Sequence, residues 1–166
     1  RQEAVDGEAV VKPGGCARMA PAGLVNTSRP GCTHGRGSIW ASPRGGGGFG
    51  HYTITAEPGG ACDGFGGEGV ETFIFVRSGK LQAKSGSESF DLADGGYLYL
   101  APGQELQFVN KGADQARIVL YKQRFIPLPK SAALPWNVAG NINDIAQREY
   151  DGMANVFIQD LLPTDL

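Results

Sequence analysis

Glu68 and Glu71 flank Gly69-Val70, a spacing at which two carboxylates can share general acid and general base work. A histidine partner would sharpen that reading, but the chain has only His34 and His51, neither at a metal-ligand spacing, and none occurs after His51. His34 is therefore expected in a loop and His51 at a strand start. The two carboxylates are expected to be structural, hydrogen bonding within the glycine-rich loop beside them. Gly64, Gly66, Gly67 and Gly69 are dense enough for a phosphate cradle. They lack the lysine and the strand-loop-helix setting that such a cradle needs, so a tight rim loop is predicted. Cys16, Cys32 and Cys62 are odd in number and far apart, which predicts neither a CxxC site nor a complete disulfide framework. Unpaired thiols in a reducing compartment are the expectation.

The elements that would position these residues are short strands. A chain of 166 residues with 41% apolar content can bury one core, and 26 glycines with 10 prolines point to a turn-rich, all-β design. Segments 71–76, 81–84, 89–92, 97–100, 106–109 and 116–121 carry strand patterning, with turn chemistry at Ser78-Gly79, Gly86, Gly95-Gly96 and Pro102-Gly103. Strands spaced by about eight to twelve residues are the signature of a sandwich or small barrel. Phe73, Phe75, Tyr97, Tyr99 and Phe108, at period two, are expected in the core and the sheet-on-sheet contact. Lys122 and Arg124 are expected at a solvated edge.

Outside that block the pattern thins. Residues 1–50 are loops with short strands at Leu24-Val25 and 38–40, and residues 51–56 (HYTITA) read as a strand. Residues 58–69 read as a long glycine-rich connection. After Tyr121, Pro127, Pro129 and Pro135 predict an extended arm, then a short helix over 143–150 capped by Asn143 and a strand over 156–161. Residues 127–166 are expected to leave the barrel and pack against something outside it, because Trp136, Val156, Phe157 and Ile158 are too apolar to face water alone. The stop at Leu166 reads as a cut made as another strand-rich unit begins. Net charge is −2, which offers no electrostatic case for nucleic acid or an anionic membrane. No apolar run approaches the ~20 residues of a membrane-spanning helix.

Residues 64–80, GFGGEGVETFIFVRSGK, and 94–110, DGGYLYLAPGQELQFVN, resemble the two motifs of a cupin barrel. In metal-binding cupins the first motif reads His-x-His, three or four residues, Glu, six residues, Gly. With Gly79 as the closing glycine, the ligand Glu falls on Thr72 and the histidines within 65–68, where none occurs. The second motif expects a His about five residues after its Pro, and the residue at that distance from Pro102 is Gln107. The resemblance implies an all-β cupin, a double-stranded β-helix or jelly-roll barrel with a C-terminal extended arm. Residues 1–50 would lead into the barrel, 51–126 would form it without metal ligands, and 127–166 would be a linker arm and the start of a second, truncated cupin.

GFGGEGVETFIFVRSGKL, DGGYLYLAPG, LYKQRFIPL and the pair REYDGM…DLLP together resemble the N-terminal half of the (S)-ureidoglycine aminohydrolases, bicupins of allantoin (ureide) catabolism, over roughly residues 11–166. Members release ammonia from (S)-ureidoglycine to give (S)-ureidoglycolate, using Mn²⁺ held by the C-terminal cupin. The resemblance implies a hydrolase acting on a small-molecule ureide, a homo-oligomer built through cupin barrels, with neither nucleic acid nor membrane as partner. For this chain by itself it implies no catalytic residue, no bound metal and no activity; Glu68, Glu71 and Gln107 remain barrel-mouth candidates. The compartment would be cytoplasmic for a bacterial member, or the endoplasmic reticulum for a plant-like member whose leader is missing. The competing expectation is a free-standing, non-catalytic cupin that binds a small molecule or a partner protein.

Overall fold

The structure, a computed structural model, describes residues 10–12, 16–18, 27–28, 30–41, 48–127 and 135–166. It is an all-β, nearly closed barrel. A small hairpin pairs β1 (Val10–Lys12) with β2 (Cys16–Arg18). Among the described residues, nine strands then form one sheet. They are β3 (Cys32–Ala41), β4 (Phe49–Gly66), β5 (Val70–Ser78), β6 (Leu81–Ser85), β7 (Glu88–Leu92), β8 (Gly96–Leu100), β9 (Glu105–Val109), β10 (Ala116–Arg124) and β11 (Val138–Asn141). The order β11-β8-β5-β10-β4-β9-β6-β7, with β3 alongside β4, folds into two layers. Every strand expected between residues 71 and 121 is present. The expected strand at Leu24-Val25 and the loops at 13–15 and 45–47 lie outside the described residues.

One strand makes the corner between the layers. The first part of β4 pairs with β10 and the last part with β9, so the chain passes from one layer to the other without leaving extended geometry. This corrects the reading of 58–69 as a connection. Pro58 and the glycines looked like punctuation, but the strand exposes Glu57, Pro58 and Gly59 at the bend, where no ladder donor is needed from proline. Asn110 ties the bend from inside. Fully buried, it donates from Nδ2 to the carbonyls of Ala56 and Asp114, accepts from the Gly112 amide, and exchanges backbone bonds with Gly59 and Gly60. At the β5–β6 hairpin, Gly79 has φ +90°, and a Cβ there would meet the Ala116 backbone at 2.8 Å, so only glycine fits.

The core between the layers comprises Ile54, Phe65, Ile74, Val76, Leu98, Leu100, Leu106, Phe108, Ile118 and Leu120 with smaller neighbours. Phe108 is there as expected. Phe73, Phe75, Tyr97 and Tyr99 lie outside that cluster on the other face of β5 and β8, paired Phe73 with Tyr99 and Phe75 with Tyr97, and of the four only Tyr97 and Tyr99 are buried. Cys32 and Cys62, directly opposed on β3 and β4, form a disulfide, which corrects the expectation of unpaired thiols. Spacing along the sequence hid the pair because 30 residues separate cysteines that strand pairing brings face to face.

The segment after Phe125 returns to the barrel in part. β11 adds to the sheet beside β8, and Asn137 Oδ1 accepts from the Ala101 amide at 3.0 Å. No helix forms over 143–150; a single 3-10 turn at Ile142–Asp144, capped by the Asn141 side chain, leads to a short hairpin of β12 (Arg148–Glu149) and β13 (Phe157–Ile158). The 3-10 helix stops after one turn because Ile145 is extended, with φ −101° and ψ 124°; Asp151, Gly152 and Asn155, all left-handed, turn the hairpin that follows. The strand expected over 156–161 shrinks to Phe157–Ile158. Gln159 pins the tail by donating to the carbonyls of Ile142 and Ile145. Trp136, Tyr150, Met153, Val156 and Phe157 remain exposed.

Candidate functional site

Alternation along β5 and β10 sends neighbouring residues to opposite faces, and this sorts the candidate residues into two places. Facing the interior, Thr72 is paired with Lys122 on one side and Leu100 on the other. Thr72 is 2% exposed and its hydroxyl has no hydrogen-bond partner. Around it the interior is filled by Phe65, Ile74, Leu100 and Leu120. The Lys122 ammonium lies 5.6 Å from the centre of the Tyr52 ring, so it is half-buried at the rim and not on a solvated edge as expected. A lone neutral hydroxyl beside a cationic strand neighbour does not fit a manganese ion, which is held by several anionic or imidazole donors. Among the described residues, no three His, Cys, Asp or Glu side chains come together as a metal site.

The outer face of the same layer is richer. Glu71, Gln123 and Phe49 form one cross-strand row, and Tyr99, Phe73, Tyr121 and His51 form the next. Tyr99 donates its phenol proton to Glu71 Oε2 at 2.7 Å, and the Gln123 amide donates to Oε1 at 2.5 Å. Burial, the hydrogen bond to Glu71 and that carboxylate's charge together raise the Tyr99 phenol well above the ordinary tyrosine range. His51 is stacked between Trp40 and Tyr121, with ring centres 5.9 and 4.4 Å away, and burial lowers its pKa below the usual imidazole value. Over the Glu71 row lies a cleft of about 610 Å³, lined by Phe49, Phe73 and Tyr121 and also by Leu162 and Leu166.

The three residues expected at the barrel mouth are not brought together. Glu71 is half-buried in the cleft, Glu68 is exposed on the turn before β5, and Gln107 is exposed on β9 opposite Lys84. Leu106 and Phe108, on either side of Gln107, take the inward positions, so counting from Pro102 landed on the wrong face of the strand. His34, with φ +47°, is exposed at an irregularity of β3, and His51 lies near the start of β4. Of the four glycines expected in a rim loop, Gly64 and Gly66 lie in β4 and only Gly67 and Gly69 make the turn into β5, where Gly67 donates to the Gln104 carbonyl and accepts from the Gly103 and Val70 amides. Tyr99 and Gln123 were missed as partners of Glu71. The period-two run Tyr97–Leu100 assigned Tyr99 to a face, but only strand pairing reveals which carboxylate it meets.

Comparison with known proteins connects this architecture to a family. No family model matches the chain. It is 40% identical over its whole length to the (S)-ureidoglycine aminohydrolase of Escherichia coli K12, and it spans 63% of that protein. The crystal structure of the Ylba protein of E. coli superposes with a TM-score of 0.81 at 39% identity, covering 94% of this chain and 61% of that one. The cupin domain of an XRE-family transcriptional regulator from Enterobacter cloacae matches at a TM-score of 0.51 and 18% identity, over 57% of this chain and all of the domain, which speaks to fold alone. The chain therefore has a cupin-type barrel fold, and over its whole length it is similar to (S)-ureidoglycine aminohydrolase.

Proposed function

We propose that this chain is the metal-ligand-free cupin of a ureidoglycine aminohydrolase, an enzyme that releases ammonia from (S)-ureidoglycine to give (S)-ureidoglycolate in ureide catabolism. The observation that carries the reading is identity of 40% along the whole chain to that enzyme, combined with a barrel whose ligand position is Thr72 in an apolar interior. On this reading the Mn²⁺ belongs to a second cupin beyond residues 1–166. This barrel is then a buttress for it and a subunit contact in a homo-oligomer. The exposed Trp136, Tyr150, Met153, Val156 and Phe157 supply apolar surface for the second barrel. The other reading, a free-standing non-catalytic cupin, has the cleft beside Glu71 in its favour.

Ammonia release from (S)-ureidoglycine tests the first reading. The 166-residue chain alone is expected to add nothing to the spontaneous rate. The same chain extended through a second cupin bearing Glu and His ligands should turn substrate over, lose activity to a chelator and regain it with Mn²⁺. Chelator-insensitive turnover by the chain alone would overturn the assignment and direct attention to Glu71.

A further inference from the structure

We infer that the cleft over Glu71 is a binding site for a small organic cation, an ammonium or guanidinium group carried on an apolar body, wherever the catalytic metal lies. Glu71 is half-buried, and both of its hydrogen-bond donors, the Tyr99 phenol and the Gln123 amide, are neutral. They fix the carboxylate's position without cancelling its charge. Among the described residues the one ion pair is Arg148 with Asp160, so none of their cations pairs with Glu71. Lys122 also borders the cleft, but alternation puts its side chain on the opposite face of β10, with its ammonium over the Tyr52 ring.

The walls select the rest of the ligand. Phe49 and Tyr121 are 40% and 38% exposed, with ring centres 6.3 Å apart, and Phe73 lies between Tyr121 and Tyr99 in the sheet. Aromatic faces beside a fixed carboxylate attract a cation twice, by the ring quadrupole and by direct charge, while repelling an anion. The volume of about 610 Å³ is within the range of small-molecule sites, about 300–1,000 Å³, and holds far more than an inorganic ion. A phenylalkyl ammonium matches both the charge and the walls.

Calorimetric titration of the 166-residue chain with phenethylammonium chloride, 2-phenylethanol and 3-phenylpropionate tests this. The ammonium is expected to bind at one site, about tenfold or more tighter than the neutral alcohol, with the carboxylate giving no heat. Glu71→Gln, checked for an unchanged circular dichroism spectrum, should bring the ammonium down to the alcohol's affinity. Phe49→Ala, which leaves the Glu71 hydrogen bonds untouched, should weaken the ammonium at least several-fold. Equal binding of ammonium and alcohol, a preference that survives Glu71→Gln, or no binding of the ammonium would each overturn the inference.

Discussion

By the count back from Gly79, Thr72 falls where the cupin resemblance expects a ligand glutamate, and its hydroxyl is buried without a partner. Desolvating a hydroxyl with no compensating hydrogen bond costs about 1–3 kcal/mol. Valine has the same branched shape and an equal preference for strands. Thr72→Val is therefore expected to stabilise the chain by about 1 kcal/mol in urea denaturation; a destabilised variant would mean that the hydroxyl has a partner after all. His51 gives a pH dependence. Its folded pKa is depressed by burial, so below the unfolded value of 6.5 the unfolded chain takes up the proton first. Stability from this residue is whole above pH 6.5 and declines as pH falls. The drop in melting temperature between about pH 7.5 and 5.5 should be smaller in His51→Phe, which keeps the stack between Trp40 and Tyr121. Equal drops in the two proteins would refute the assignment.

At the scale of elements, β3 pairs along its length with β4, with a single bridge from Gly37 to Thr27 besides, and the Cys32–Cys62 bridge locks the start of the β3–β4 pairing. A cross-link closing a loop of this size contributes about 3.7 kcal/mol, chiefly by restricting the unfolded chain. Reductant, or Cys32→Ala, is expected to lower the unfolding free energy by that order while leaving the barrel's circular dichroism intact. A denaturation curve indifferent to reductant would show that the thiols are not joined in solution. The 18-residue β4 matters as much, since both layers share it and Asn110 stitches its bend. Loosening either end of that strand loosens a whole layer.

For the whole molecule, the two faces of one layer divide the chemistry. The inner face is a packed apolar core around the orphan Thr72 hydroxyl, and the outer face carries a fixed carboxylate among aromatic rings. Elemental analysis of the chelator-washed chain is expected to find well under one manganese per chain, because Thr72 and its neighbours offer no anionic donor set. Stoichiometric metal would require a ligand set outside the described residues. The chain spans 63% of its E. coli relative, so the activity of a whole enzyme is a property of a longer polypeptide on the reading proposed above.

Alternation and turn residues by themselves determined the six strands between 71 and 121, because a strand half buried in a barrel must repeat at period two and its turns must reverse within a few residues. The assignment of Thr72 to the ligand position of the cupin motif likewise rests on a count back from Gly79 in the sequence. Three features needed the tertiary structure. Whether the aromatic residues of β5 and β8 face the core or the outer surface depends on which side the second layer folds over, and both sides look alike in a strand of five buried residues such as β8. The pairing of Glu71 with Tyr99 and Gln123, and of Cys32 with Cys62, joins residues 28, 52 and 30 positions apart, distances over which only sheet register specifies a neighbour. The return of β11 to the sheet came from an open edge at β8 whose backbone groups had to be satisfied, a demand that no local pattern around Val138–Asn141 records.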